Sequence, residues 1–120
     1  NLELATRLSY ALWSSLPDDE LRQLAEAGQL TDEHVLLDQT RRMLKDDRTR
    51  RLAVQFACQW LHLRDFDQQN DKNEQLFPEF AELRRPMYEE TVRFFEDLFR
   101  SNGSLLDLID ADHTFLNELL

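Results

Sequence analysis

D-R-T-R-R-L-A-V-Q-F-A-C-Q-W-L-H-L-R-D, residues Asp47 to Asp65, is the stretch around which the rest of this chain must be arranged. Its large apolar residues stand at Leu52, Phe56, Trp60 and Leu63, a spacing of four, four and three. That period is helical. Ala53, Val54, Ala57, Cys58 and Leu61 widen the apolar stripe until only a narrow polar strip remains. A helix apolar on most of its circumference lies inside a bundle. The pattern therefore predicts a central helix over about 48–64, with Phe56 and Trp60 as its anchors in the core.

The remaining residues fit helices packed on that one. Two glycines and three prolines in 120 residues leave few turns, whereas an all-β chain needs one roughly every 8–12 residues. A hydrophobic content of 42% suffices for one domain with one core. The expectation is an all-α single domain over 1–120, an irregular bundle of about five to seven helices. Its predicted core is Leu8, Leu12, Trp13, Leu52, Phe56, Trp60, Leu63, Phe80, Met87, Phe94 and Leu98.

Taken in order, helix one runs from about Leu2 to Ser14 and ends before Pro17, because the residue ahead of a proline is pushed from the α region. Asp18 caps a short second helix that Gly28 stops in a left-handed turn. Thr31 caps helix three, with Leu30 and Val35 as its hydrophobic staple. That helix continues to Lys45, and Asp46 or Asp47 makes a very short link to the central helix. Asp65 to Phe77 is polar and aperiodic, a loop whose ends Phe66 and Phe77 pin to the core; such long loops are often functional or mobile. Pro78 starts a long helix through Leu98, in which Pro86 predicts a kink or break near Leu83 to Pro86. Asn102-Gly103 ends it. Leu105 to Ile109 form a short apolar turn, and Asp112 or Thr114 caps a last segment carrying Phe115, Leu116, Leu119 and Leu120.

A net charge of −10 argues against polyanionic partners, both nucleic acid and anionic membrane surfaces. No apolar run reaches the roughly 18 residues of a membrane span. One local exception is basic: Arg41, Arg42, Lys45, Arg48, Arg50 and Arg51. It reads as a solvated corner whose cations meet the surplus carboxylates, with phosphate binding the alternative. Chemistry is sparse. Cys58 and His62 stand four apart, a spacing that can hold a metal if Asp65 and Asp67 fold back, but two ligands are not a site. A lone cysteine on an apolar stripe is first a small hydrophobe. His113, beside Asp110 and Asp112, forms a second acidic–imidazole group, and Asp112 is already explained as a cap. Neighbouring carboxylates (Asp18-Asp19, Glu89-Glu90, Glu96-Asp97) diverge by about 100° on a helix and make no facing dyad. No phosphate loop or nucleophile elbow is present. The stripe of Phe80, Phe94, Phe95 and Phe99 could line an apolar pocket, but its spacing is that of core.

Several segments carry a family resemblance. E-L-A-T-R-L-S-Y-A-L-W-S-S-L-P-D-D-E-L (Glu3 to Leu21), R-R-M-L-K-D-D-R-T-R-R-L (Arg41 to Leu52), Q-W-L-H-L (Gln59 to Leu63), F-P-E-F (Phe77 to Phe80), E-E-T-V-R-F-F (Glu89 to Phe95) and L-L-D-L-I-D-A-D-H-T-F-L-N-E (Leu105 to Glu118) are in order along the chain. Together they resemble the planctomycete-type domain of unknown function 1592. The resemblance supplies no catalytic residues. It implies context: large, exported or periplasmic multidomain proteins, often with a cytochrome-c-like haem domain elsewhere in the chain. The start at Asn1 without Met and the apolar close at Leu119-Leu120 also predict a domain cut from a longer protein. The expected role is a non-catalytic helical module that supports or docks neighbouring domains, with no catalytic, metal or cofactor site of its own. The alternatives are a small-ligand or metal site in the 58–77 region, and an enzyme whose site forms only with neighbouring domains.

Overall fold

A computed structural model describes all residues, 1–120. Every regular element is helical. The α1 helix (Leu2–Trp13) closes at Ser14, which is left-handed at φ 49°. Asp18 caps α2 (Asp19–Glu26) by accepting the Leu21 N–H. Gly28 then turns the chain at φ 72°, a backbone value that costs an L side chain about 1–2 kcal/mol. The cap of α3 (Glu33–Lys45) is Asp32, not Thr31; its carboxylate accepts from His34 and Val35. Thr31 instead donates its hydroxyl back to the Gly28 carbonyl, 3.1 Å away. A carboxylate at the helix start is favoured over a hydroxyl there because it also meets the helix dipole.

The central stretch is helical from 47 to 60 but not uniform. A 3₁₀ turn at Asp47–Thr49 leads into α4 (Arg50–Leu52), a π-helical turn at Ala53–Ala57, and α5 (Cys58–Trp60). The Cys58 N–H reaches back to the Ala53 carbonyl, five residues earlier. One extra residue per turn makes everything downstream lag by most of the 100° that each residue normally contributes. This overturns the expected anchors. On an unbroken α-helix Trp60 would project within about 20° of Ala53. The lag swings Trp60 outward and Cys58 inward. Phe56 and Trp60 are 55% and 58% exposed, while Ala53, Ala57 and Cys58 are buried. Small side chains on the inner face let neighbouring backbones approach closely, because interaxial distance follows the residues at the contact.

The α6 helix (Phe80–Arg100) runs through Pro86 without the break that was one of the two expected outcomes. Pro86 lies in the second turn, so its missing N–H removes a single bond, to the carbonyl of exposed Glu82. Left-handed Asn102 (φ 55°) follows, and the Gly103 N–H donates to the Leu98 carbonyl at 2.9 Å. After α7 (Asp107–Asp110), residues 111–120 are irregular; neither Asp112 nor Thr114 caps the last segment, which ends in a turn where Asn117 accepts from Leu119 and Leu120. In the 65–77 loop, Phe66 packs edge-on against Phe80 at 6.0 Å, whereas Phe77 is exposed and pins nothing.

Apolar side chains gather in two clusters instead of the single core expected. Ala5, Trp13, Leu21, Ala25, Leu30 and Met43 form one, from α1, α2 and α3. Ala53, Ala57, Cys58, Val92 and Phe95 form the other, between the central stretch and α6. The body measures 62 × 28 × 22 Å with a radius of gyration of 17.9 Å. A compact chain of this length comes to about 14 Å. No helix is long and apolar enough to cross a membrane.

Candidate functional site

The basic run folds into a corner around Trp13. The Arg48 guanidinium lies 3.4 Å from the centre of the indole, and that of Arg42 lies at 5.8 Å. Arg42 grips Asp18 with two bonds, at 2.8 and 3.1 Å, and donates to Gln39 at 2.9 Å. Arg48 holds Asp46 with two bonds of 2.8 Å. Arg50 is bonded to Glu89 at 2.7 Å and Arg51 to the Trp13 carbonyl at 3.1 Å. Arg41 reaches Asp38 at 3.5 Å. These guanidinia are already matched by carboxylates and a carbonyl. A phosphate would have to displace planar two-bond pairs, which are among the stronger polar contacts a protein makes. The corner joins α1, α2, α3 and the central stretch.

Bonding to Arg48 holds the Asp46 carboxyl down at about 2, and bonding to Arg42 lowers that of Asp18. A carboxyl whose folded value lies below its unfolded one, near 3.9, adds stability that is full above that unfolded value. The contribution disappears as pH falls from about 4 towards 2. Helical circular dichroism followed down this range should show cooperative loss, with a shallower acid slope in Asp46→Asn. Asp46 is about one-third exposed, so screening keeps its share near 1 kcal/mol. An unchanged acid slope in the variant would show that the pair adds no stability to the fold.

The residues with ligand chemistry are dispersed. Cys58 is 2% exposed, and burial raises its thiol above the ordinary range while the Tyr88 hydroxyl lowers it less. Tyr88 is pushed up to about 12, first by burial and then by Cys58. Both stay protonated near neutrality. His62 lies beyond the helix end, exposed and left-handed at φ 56°, so the four-residue helical spacing from Cys58 no longer sets their geometry. Asp65 is also left-handed, at φ 60°, and exposed; Asp67 is half-buried in a 3₁₀ turn. The His113 ring lies 5.7 Å from that of Phe94, tilted by 31°, with Asp112 at 3.5 Å and Asp97 at 4.0 Å. No three His, Cys, Asp or Glu residues gather in a way that could hold a metal ion.

What remains is an apolar surface. Phe56 and Trp60 stack with their rings 6.4 Å apart and 17° from parallel, facing water. Beside them, Trp60 and Leu61 face Thr91 and Phe94 of α6 and Leu108 and Ile109 of α7 across a groove of about 460 Å³. Glu90 and Asp107 line it as well, and neither Lys nor Arg does. Ile109 is 87% exposed. A second cleft, about 420 Å³, runs along α6 between Pro86 and Phe115.

One family model spans the whole chain: PSD4, described as Protein of unknown function (DUF1592), matches residues 1–120. The chain belongs to the DUF1592 family. No curated protein and no solved structure matches it. In this DUF1592 chain, the residues expected in the core take three different places. Trp13 is fully buried and Leu98 nearly so. Leu8, Leu12, Leu63 and Phe94 are half-buried at the cluster edges, and Leu52 and Phe80 are half-buried outside both clusters. Phe56, Trp60 and Met87 face solvent, a correction to the expected core. Their neighbours on the inner face, Thr49, Ala53 and Ala57, repeat every four residues. That stripe of small residues was the signal missed, because large side chains drew the reading to the adjacent face.

Proposed function

We propose that this DUF1592 chain is a non-catalytic docking module of a larger protein, a helical body that holds neighbouring domains against its apolar faces. The carrying observation is surface area. A compact 14.3 kDa chain exposes about 6,800 Å², whereas this one exposes 8554 Å², roughly a quarter more. The excess, near 1,700 Å², is about twice the roughly 800 Å² that one partner contributes to a standard protein–protein interface. Phe56, Trp60, Met87, Leu105, Leu106, Ile109 and Leu116 are among the large apolar residues left outside. Large apolar side chains left exposed side by side mark interaction sites.

Calorimetric titration against separately expressed neighbouring domains tests the reading. Binding of at least one, with a rise of several degrees in the melting temperature of this chain, is the expected result. Absence of binding and of any stabilisation by every neighbour would sink it. A turnover supported by the isolated chain would sink it equally.

A further inference from the structure

The groove between the central stretch, α6 and α7 is specific enough to name the chemistry of its occupant. Its floor is Trp60, Leu61, Phe94 and Leu108, with Ile109 standing almost wholly in water at one lip. Its lining carries the carboxylates of Glu90 and Asp107 and the imidazole of His113, and neither Lys nor Arg. Asp110 and Asp112 follow that lip in sequence, and Asp97 stands 4.0 Å from His113. An apolar trough edged by carboxylates complements a surface that is apolar in the middle and positive at the sides.

We propose that the groove seats a cationic amphipathic helix of a partner, its apolar face on Trp60, Leu61 and Ile109 and its Lys or Arg side chains over Glu90 and Asp107. This deepens the docking reading and rests on it. The trough, about 460 Å³ in volume, takes a row of roughly three or four large side chains, as the i, i+3, i+4 and i+7 positions of a helix supply. Other occupants fit less well. A second copy brings its own −10 charge and its own acidic lips to the same seam, so like charges would face each other. An extended peptide finds no open strand edge, since every regular element is helical. An anionic bilayer is repelled by the carboxylates that the groove needs to explain.

The test uses the whole 120-residue chain and three synthetic peptides: a Leu/Lys amphipathic helix of about five turns, its scrambled isomer, and the matching Leu/Glu helix. Trp13 is buried and Trp60 is not, so a blue shift in tryptophan emission reports cover over Trp60. The expected result is a blue shift and saturable binding with the Leu/Lys helix, weakening as salt rises. Ile109→Ser, and separately the pair Glu90→Gln with Asp107→Asn, each reduce that affinity at least about tenfold. Circular dichroism confirms that the variants stay folded. Equal binding of the scrambled or Leu/Glu peptide, unchanged affinity in the variants, or dimerisation of the chain abolished by Ile109→Ser would overturn the proposal. Neighbouring domains that bind the parent chain and the Ile109→Ser variant alike would sink the groove assignment and leave the docking reading intact. Peptide binding in the expected pattern, with no neighbouring domain bound, would sink the docking reading and leave the groove assignment in place.

Discussion

Replacing Trp13 by alanine lowers the unfolding free energy by about 3–5 kcal/mol, the cost of emptying a large buried site. That is about a fifth to all of what a small domain possesses. Trp13 is fully buried in the cluster of α1, α2 and α3. Its indole N–H donates to the Met43 carbonyl at 2.9 Å, and two guanidinium groups lie against its ring. Trp13→Phe separates these contributions. The Met43 carbonyl keeps the Thr49 hydroxyl at 2.9 Å and the Asp46 N–H at 3.2 Å after the indole is gone. The phenylalanine variant therefore loses one hydrogen bond and part of the cation–π attraction, roughly 1–2 kcal/mol. Urea unfolding of the three proteins gives both values. A Trp13→Ala loss below 1 kcal/mol would place that side chain outside the core.

The second large effect is an inversion of what side-chain size suggests. Ala57→Leu destabilises by about 1–3 kcal/mol, since Ala57 is fully buried and a larger side chain must force neighbouring helices apart. Trp60→Ser, which removes one of the largest side chains, costs less than about 1 kcal/mol because Trp60 already faces water. The same urea experiment orders the two. A serine variant less stable than the leucine variant would mean that Trp60 packs inward and that the π-helical turn is absent in solution.

The sequence was most legible where local chemistry acts alone. Asp18 as a cap, Gly28 in a left-handed turn and the end of α3 at Lys45 each follow from one or two residues. The all-α class follows from apolar spacing and the scarcity of turn residues. Less legible was whatever depends on accumulated geometry. Reading Leu52, Phe56, Trp60 and Leu63 as one inner face assumed a constant rotation per residue. A single π-helical turn voids that assumption, and nothing in A-V-Q-F-A marks it. The division of the apolar residues into two clusters was hidden for a related reason: hydropathy tells which residues avoid water, not which of them meet. Asp32 was eclipsed as a cap by Thr31, a weaker capping residue that the Leu30 and Val35 staple pattern singled out. The polar corner was readable as charge matched by charge, but its centre, Trp13 between two guanidinia, needed contacts from four elements. The outward groove was half legible: Phe94 and Phe95 suggested a pocket lining as well as core, but Trp60 read as an interior anchor.

The π-helical turn at Ala53–Ala57 also shows that register along a rod is a matter of count, not of content. Two polypeptides with the same residues in almost the same order, one holding its surplus unit upstream of the bend and one downstream, turn opposite flanks to the solvent. Whether an indole serves as ballast or as a handle is then fixed by chain arithmetic, a variable to which any tally of amino acids is blind.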